Sequence, residues 1–287
     1  MSLAPTYPDH SLWSARRRQS DPLGFLRAMA ANGDFVRFTL SRQPAVLLNR
    51  PDYAAVVLVS RASAFRKGIA NRRAKSLLGE GLLTAEGARH TESRRAIQPV
   101  FARQRLESCA SVIVDRAREV RDAWRPGELV DVTRSMGALT FGVVGEVIVG
   151  ARVDAQFDEV RQITEAATAT IDPLLSLIAP LRSMRQARAR LRIVATTLLE
   201  RASRADEGSL LALLREHDPE PAVQAQRVDD LVTLLLAGHD TLTSALTWAW
   251  LLLASHPDVE TRLHDELSTV LGGRNATAAE SATKRWS

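Results

Sequence analysis

The apolar run at residues 231–254 constrains this chain more than any other segment. Its length and composition predict one long helix at the centre of a mainly helical fold. Its middle reads Ala237-Gly238-His239-Asp240-Thr241. An acid and a hydroxyl group are costly to bury inside an apolar helix unless they find partners. We therefore interpret Asp240 and Thr241 as side chains that serve chemistry.

The same run is long enough to cross a bilayer. Asp240 near its centre would cost roughly 2.5–3.5 kcal/mol on insertion into a membrane. The run also carries hydroxyl side chains at Thr233, Thr241, Thr243, Ser244 and Thr247. The first 18 residues contain no apolar segment and no cleavage site typical of a secretory signal. These features favour a central helix of a cytoplasmic protein without membrane association.

The charge of the chain is basic, with 38 lysine and arginine residues among 287 and a net charge of +5. Only three of the 38 are lysine, and the arginines are spread along the sequence. This spread favours solvated helix faces over a nucleic-acid surface, so we expect no nucleic-acid partner. A basic helical protein that associates with nucleic acid is the alternative. The single cysteine, Cys109, excludes an intramolecular disulfide.

Helical periodicity covers most of the chain, and one hairpin is expected near its start. The helices are expected at 22–31, 51–59, 88–101, 103–124, 133–149, 155–171, 184–203, 208–217, 224–255 and 257–271. The strands are expected at 35–40 and 45–48. Residues 62–85 are expected to be irregular with one short helix, and residues 274–287 are expected to form a disordered tail.

Ala237 and Thr241 share one face of the central helix, because residues four apart are neighbours there. The Thr241 hydroxyl is expected to bond to the carbonyl of Ala237 and to bend the helix. With the small Ala237 and Gly238, this predicts a groove for a small polar molecule beside a flat, bulky ligand, and Asp240 can relay a proton. On spacing alone, a purely structural helix with a satisfied threonine and a surface aspartate is an equal alternative.

A second motif lies upstream of the central helix. It consists of Gly81-Leu82-Leu83-Thr84-Ala85-Glu86-Gly87, then His90-x-x-x-Arg94-Arg95, then Gln98-Pro99-x-Phe101. Together with the central motif, in this order and spacing, it resembles the cytochrome P450 family over about residues 20–273. The resemblance implies the mainly α cytochrome P450 fold with a small N-terminal β hairpin.

The resemblance also implies roles for the central helix. Thr241 would hydrogen-bond dioxygen at a heme iron, and Asp240 would help to deliver the protons for oxygen–oxygen cleavage. Ala237 and Gly238 would pack over the heme face. Leu242 stands where another threonine is common in the family.

The cofactor implied is heme b, whose propionates would pair with His90 and Arg94. The implied function is a heme-thiolate monooxygenase, which oxidises a small organic substrate with O2 and electrons from a ferredoxin or flavoprotein donor. Residues 62–85 and 171–181 would border the substrate.

The chain departs from the family pattern after Gly273, where a Glu-x-x-Arg helix and a heme-ligating cysteine loop are expected and absent. Cys109 precedes the central helix, so no metal ligand is expected in this chain. We expect a partial cytochrome P450 domain at 1–273, a disordered or frameshifted tail at 274–287, and no monooxygenase activity. The alternative is a non-enzymatic helical remnant that binds an apolar ligand or partner. The acidic and histidine residues at 256–264 are interpreted as a helix start and not a metal site.

Overall fold

The computed structural model describes residues 20–40, 43–102, 107, 109–171, 181–202 and 221–277. The helix predicted at 208–217 and residues 278–287 of the predicted tail lie outside them. The chain divides into two compact units, residues 1–67 and 68–287. In the described residues the fold is mainly helical with one two-stranded sheet, which confirms the predicted fold class.

The first unit contains the hairpin. Its elements are α1 (Pro22–Ala30), β1 (Phe35–Leu40), β2 (Gln43–Leu48) and α2 (Pro51–Ala55), which continues as a π-helical turn, Val56–Ser60. Asp21 caps α1 by accepting from the backbone N–H of Gly24 at 2.8 Å. The strands are antiparallel, with Phe35 opposite Leu48, and β2 begins two residues earlier than predicted. Phe25, Met29 and Val36 form the buried side of this unit.

The second unit consists of helices. They are α3 (Ile69–Leu78), α4 (Gly87–Ile97), α5 (Ala110–Ala123), α6 (Val132–Val149), α7 (Phe157–Ile171), α8 (Leu181–Ala202), α9 (Pro221–Ser255) and α10 (Pro257–Leu271). The helix predicted at 88–101 is α-helical only to Ile97 and continues as a 3-10 turn, Gln98–Phe101. Pro99 has no N–H to donate, which ends the α-helical ladder.

The central helix α9 lies in the core and packs most extensively on α6. Leu231, Leu235 and Leu236 of α9 are buried in the main apolar cluster, together with Phe141 of α6 and Leu198 of α8. The hydroxyls of Thr140 (α6) and Thr243 (α9) lie 2.7 Å apart and bridge the two helices. Burial of this apolar surface is the dominant force that holds α9 in place.

Helix α5 packs on the far side of α6 through a buried arginine. Arg116 Nε donates to Glu146 Oε2 at 2.7 Å, and its Nη1 donates to Asp154 Oδ1 at 2.7 Å. Arg152 binds Asp154 as well, at 3.0 Å. A buried guanidinium requires such partners, so this cluster fixes α5 and the segment after α6 against α6.

Among the described residues, α6 is the helix that is long and apolar enough to cross a membrane, with a mean hydropathy of 1.4 over Val132–Val149. Of that window, 44% is buried inside the protein. Core helices of proteins that do not enter membranes meet the same criterion of length and composition.

Candidate active site

The face of α9 that carries Ala237 and Thr241 is open. Both residues are exposed, and so is Ala245 one turn further on. The Thr241 hydroxyl donates to the carbonyl of Ala237 at 2.7 Å, which confirms the expected bond. We call Ala237 and Thr241 the open face. Its surface is shallow, because Ala237 has only a methyl group and the threonine hydroxyl is turned back onto the helix.

Gly238 lies on the side of α9 that faces α6. A Cβ added to Gly238 would meet Val144 Cγ1 of α6 at 3.1 Å, so this position is directed towards α6. The missing side chain lets α6 and α9 approach closely. The structure therefore brings Ala237 and Thr241 together and places Gly238 at the helix contact, and the packing of Gly238 against a heme stays a prediction.

Asp240 is paired with the buried His239. The imidazole is 3% exposed, packs edge-on against Phe141 at 5.5 Å, and places Nε2 3.3 Å from Asp240 Oδ1. Burial raises the pKa of Asp240 above its ordinary value, and His239 opposes part of that rise. Asp240 thus holds a proton at a higher pH than an ordinary aspartate does.

Asp240 and His239 line a cleft of about 430 Å³ between α6, α7 and α9. The charged groups on its wall include Arg134, Arg161 and Glu165. Arg161 Nη1 donates to Glu165 Oε1 at 2.7 Å. The Asp240 side chain is about half exposed, so its carboxyl can exchange protons with water in this cleft.

Helix α4 is anchored on the side of α9 that carries the open face. Ser93 of α4 is buried and donates to Asp230 Oδ2 at 3.2 Å. Asp230 precedes Ala237 by seven residues, which is about two helical turns, so the two lie on one stripe with Thr241. The anchor therefore fixes α4 at the start of the stripe that ends in the open face.

His90 and Arg94 lie on α4, four residues apart on one face. His90 is half-buried and Arg94 is exposed. Both flank Ser93 along the helix. The structure thus brings their helix to the side of α9 on which Ala237 and Thr241 lie, and their pairing with propionates stays a prediction.

The structure adds Asp229 and Asp230, which the sequence reasoning missed. Leu82 N–H donates to Asp230 Oδ1 at 2.7 Å, and Glu80 N–H donates to Asp229 Oδ2 at 2.9 Å. Asp229 also pairs with Arg192 at 2.7 Å. Two adjacent acids directly before the apolar run were the available signal. The apolar run begins at Leu231, directly after them.

Cys109 lies away from the open face. It occupies the N-cap position of α5, which packs on α6. Helix α6 in turn covers the side of α9 at His239 and Thr243, to both of which the Thr140 hydroxyl is bonded. His239 and Thr243 each follow a residue of the open face by two positions, which corresponds to about 200° around a helix. The side of α9 that α6 covers is therefore roughly opposite to the open face.

The residues at 256–264 form a helix start, as predicted. Helix α10 begins at Pro257, with Asp258 and Glu260 in its first turn. Within the described part of the chain, no group of three or more histidine, cysteine, aspartate or glutamate side chains is arranged to hold a metal ion.

Comparison with known proteins decides the family. The family model described as Cytochrome P450 matches residues 12–284. The chain belongs to the cytochrome P450 family. Two curated relatives come from Streptomyces melanosporofaciens. Cyclooctat-9-en-7-ol 5-monooxygenase is 33% identical over 272 residues, which cover 89% of this chain and 59% of the relative. Cyclooctatin synthase is 34% identical over 283 residues, which cover 92% of this chain and 61% of the relative.

Solved cytochrome P450 structures share the fold. CYP175A1 from Thermus thermophillus matches with a TM-score of 0.73 and 25% identity, over 90% of this chain and 64% of that one. The cytochrome P450DA heme domain matches with a TM-score of 0.79 and 17% identity, over 100% of this chain and 68% of that one. The chain thus has the cytochrome P450 fold and spans about 60% of the length of the curated relatives named above.

Proposed function

We propose that this chain forms the heme-binding, oxygen-side part of a cytochrome P450 monooxygenase, which oxidises a small organic substrate with O2 and electrons from a ferredoxin or flavoprotein. The observation that carries the proposal is the open face of α9, with the protonatable Asp240 beside it and α4 anchored on the same side. As expected from its sequence, we further propose that the protein is cytoplasmic and not membrane-bound.

The residues present fit heme b on this side. Ala237 offers a shallow apolar surface for a flat ring, and Thr241 keeps its hydroxyl close to the helix. Arg94 and His90 on α4 would hold the propionates, for which a guanidinium is well suited. When bound, the heme supplies the iron at which O2 is reduced.

The roles of the chain's own residues follow from their surroundings. The Thr241 hydroxyl donates to Ala237, which leaves its oxygen free to accept a bond from a group above the open face. The Asp240 carboxyl takes up a proton from water in the cleft, and its raised pKa lets it hold that proton at a higher pH than an ordinary aspartate. Thr241 and Asp240 are adjacent in sequence, so α9 carries a proton donor directly beside the open face.

A heme-thiolate site also needs the sulfur of a cysteine. The sequence contains one cysteine, Cys109, and its helix lies behind α6. A cysteine thiolate bound to the heme iron would supply the electron density that favours oxygen–oxygen cleavage. We therefore propose that the 287-residue chain by itself has no monooxygenase activity.

The test is the spectrum of the reduced, carbon-monoxide-bound protein. We expect no thiolate-type band from the 287-residue chain, and a band once the C-terminal third of a relative is appended after Gly273. In the extended chain, Thr241→Ala should divert electrons to peroxide. A thiolate band in the 287-residue chain that Cys109→Ser abolishes would overturn the assignment of Cys109.

The second candidate function is a non-enzymatic helical protein that binds an apolar ligand or partner through α9. The exposed side chains of Trp248, Leu251 and Leu252 favour it. Heme titration separates the two functions, since this candidate predicts no saturable 1:1 heme complex. Nucleic-acid binding finds less support, because Arg134, Arg161 and other arginines are paired with neighbouring acids.

A further inference from the structure

Asp229 and Asp230, which we call the aspartate pair, join three other parts of the second unit to α9. Asp230 accepts from Leu82 N–H at 2.7 Å and from the Ser93 hydroxyl at 3.2 Å. Asp229 accepts from Glu80 N–H at 2.9 Å. It also binds two arginines of α8, Arg188 at 3.1 Å and Arg192 at 2.7 Å. The turn at residues 79–85, α4 and α8 thus meet at one point on α9.

The turn at residues 79–85 is shaped to lie against this point. Gly79 has φ +69°, which favours glycine, and a Cβ there would collide with the Asp229 carboxylate. A Cβ at Gly81 would collide with the Asp229 carbonyl and the Thr233 hydroxyl. The buried Thr84 hydroxyl donates to the Gly79 carbonyl at 2.5 Å and closes the turn. Such close approach of backbone to helix leaves little freedom to shift.

The two acids differ in their partners. Asp229 is paired with two guanidinium groups, whereas the favourable partners of Asp230 among the described residues are an amide, a hydroxyl and the charge of Arg89 on α4. Burial raises the pKa of Asp230 to about 6. The bonds from Leu82 and Ser93 oppose this rise, and the like charge of Asp229 adds to it. The turn itself carries the charged side chain of Glu80, which pairs with Lys75 of α3.

We propose that Asp230 is a positioning residue, which acts through Ser93 on α4 and through Leu82 on the turn. Ser93 directly precedes Arg94 and lies three residues after His90. A displacement of Ser93 therefore moves both proposed propionate partners together. Through Leu82, the same carboxylate fixes the turn that is expected to border the substrate. The part of this inference that concerns heme rests on the proposed function.

The first experiment measures amide hydrogen exchange of the 287-residue chain without any ligand. Ser93→Ala and Asp230→Asn should each increase exchange in α4 at least tenfold. Thr91→Ala is the matched control, because Thr91 is an exposed hydroxyl on the same helix that bonds to the Gly87 carbonyl. Exchange in both variants no faster than in Thr91→Ala would overturn the proposal.

The second experiment follows the amide resonance of Leu82 as a function of pH. It should titrate with a midpoint near the Asp230 pKa of about 6, and this titration should vanish in Asp230→Asn. Asparagine keeps the size and an acceptor oxygen, so loss of packing cannot produce the change. An unchanged midpoint in Asp230→Asn would contradict the assignment of Asp230.

The third experiment titrates the chain with hemin in the presence of imidazole as a free axial ligand. Ser93→Ala should raise the dissociation constant of hemin three- to tenfold, and Arg94→Ala should raise it as well. Thr91→Ala should leave this dissociation constant unchanged. Faster exchange in α4 with unchanged hemin affinity would overturn the positioning role. If the unmutated chain binds no hemin, the proposed function fails, while the exchange and pH experiments still decide whether Asp230 positions α4.

Discussion

The two halves of α9 have the same apolar character and opposite surroundings. In the first half, Leu231, Val232 and Leu235 are buried, and the aspartate pair binds three further elements. In the second half, Trp248, Leu251 and Leu252 are exposed. An aromatic contact there joins Trp250 to Trp124, whose ring centroids lie 5.3 Å apart. The open face lies where the two halves meet.

This difference shows that hydrophobicity alone does not determine which part of the helix is anchored. Polar groups do so in the first half, since a buried carboxylate must be satisfied by specific donors and thus selects its neighbours. In the second half, the described ion-pair contact of Asp240 is with His239 of α9 itself, so this carboxylate does not join another element to α9. Its apolar surface is available for further contacts, and a contiguous exposed apolar patch is typical of a binding surface.

The largest effect is expected from truncating a leucine in each half. Leu231→Ala removes a side chain that is 1% exposed, so the free energy of unfolding should fall by about 2–5 kcal/mol. Leu251→Ala changes a side chain that is 53% exposed and should cost less than about 0.5 kcal/mol. Urea unfolding of both variants is the measurement. Equal losses would remove the distinction between the halves.

Alanine substitution should have different effects at Gly81, which contacts the first half of α9, and at Gly238, which lies where the two halves meet. Gly81→Ala places a Cβ against the α9 backbone and should cost about 1–3 kcal/mol. In Gly238→Ala the three atoms nearest to the new Cβ belong to the Val144 side chain, and the helix gains a propensity of about 1 kcal/mol, so the net effect should be close to zero. Thermal unfolding of the two variants compares them directly, and a larger loss from Gly238→Ala would contradict the contacts described.

The pH dependence of stability should also differ between the halves. Burial raises the pKa of Asp230 to about 6, so the folded chain binds its proton more tightly than the unfolded chain does. The free energy of unfolding should therefore fall as the pH rises from about 4 to 6 and then level off. Each pKa unit corresponds to about 1.4 kcal/mol.

Asp230→Asn should remove this slope, as measured by denaturant unfolding at several pH values. Asp240→Asn should change it less, because Asp240 is about half exposed. If the slope persists in Asp230→Asn and vanishes in Asp240→Asn, the pH dependence of stability comes from the second half of α9 and not from the first.

The smallest effect concerns association. The exposed apolar surface of the second half should make the chain self-associate with rising concentration. Leu251→Glu should weaken this association about tenfold in sedimentation velocity. Leu129→Glu changes an exposed leucine outside α9 and serves as the control. A monodisperse chain at all concentrations would show that the second half does not form an associating surface.

Much of the fold was predictable because apolar periodicity and proline and glycine positions mark helix limits. The predicted helix at 133–149 and the bond from Thr241 to Ala237 are both observed. The bond depends only on residues four apart on one helix, so local geometry suffices to predict it. The family resemblance is the basis of the roles proposed for His90 and Arg94, which no local pattern contains.

Other features could not be predicted because they depend on contacts distant in sequence. Asp230 and Leu82 are 148 residues apart, and neither residue by itself indicates that they meet. Gly238 shares a motif with Ala237, yet it is directed towards Val144 of α6. Which side of a helix a neighbour covers is a property of the tertiary packing, and sequence spacing gives only the angle between residues.

The proposed function requires heme to lie against the open face of α9. The most direct measurement is a hemin–imidazole titration of the chain, Ala237→Phe, and Leu267→Phe as a control on the exposed side of α10. We predict a saturable 1:1 complex of hemin with the unmutated chain. Ala237→Phe should weaken this complex at least tenfold, because the phenyl ring occupies the shallow surface, whereas Leu267→Phe should leave it unchanged. Equal affinity for all three proteins would contradict this prediction.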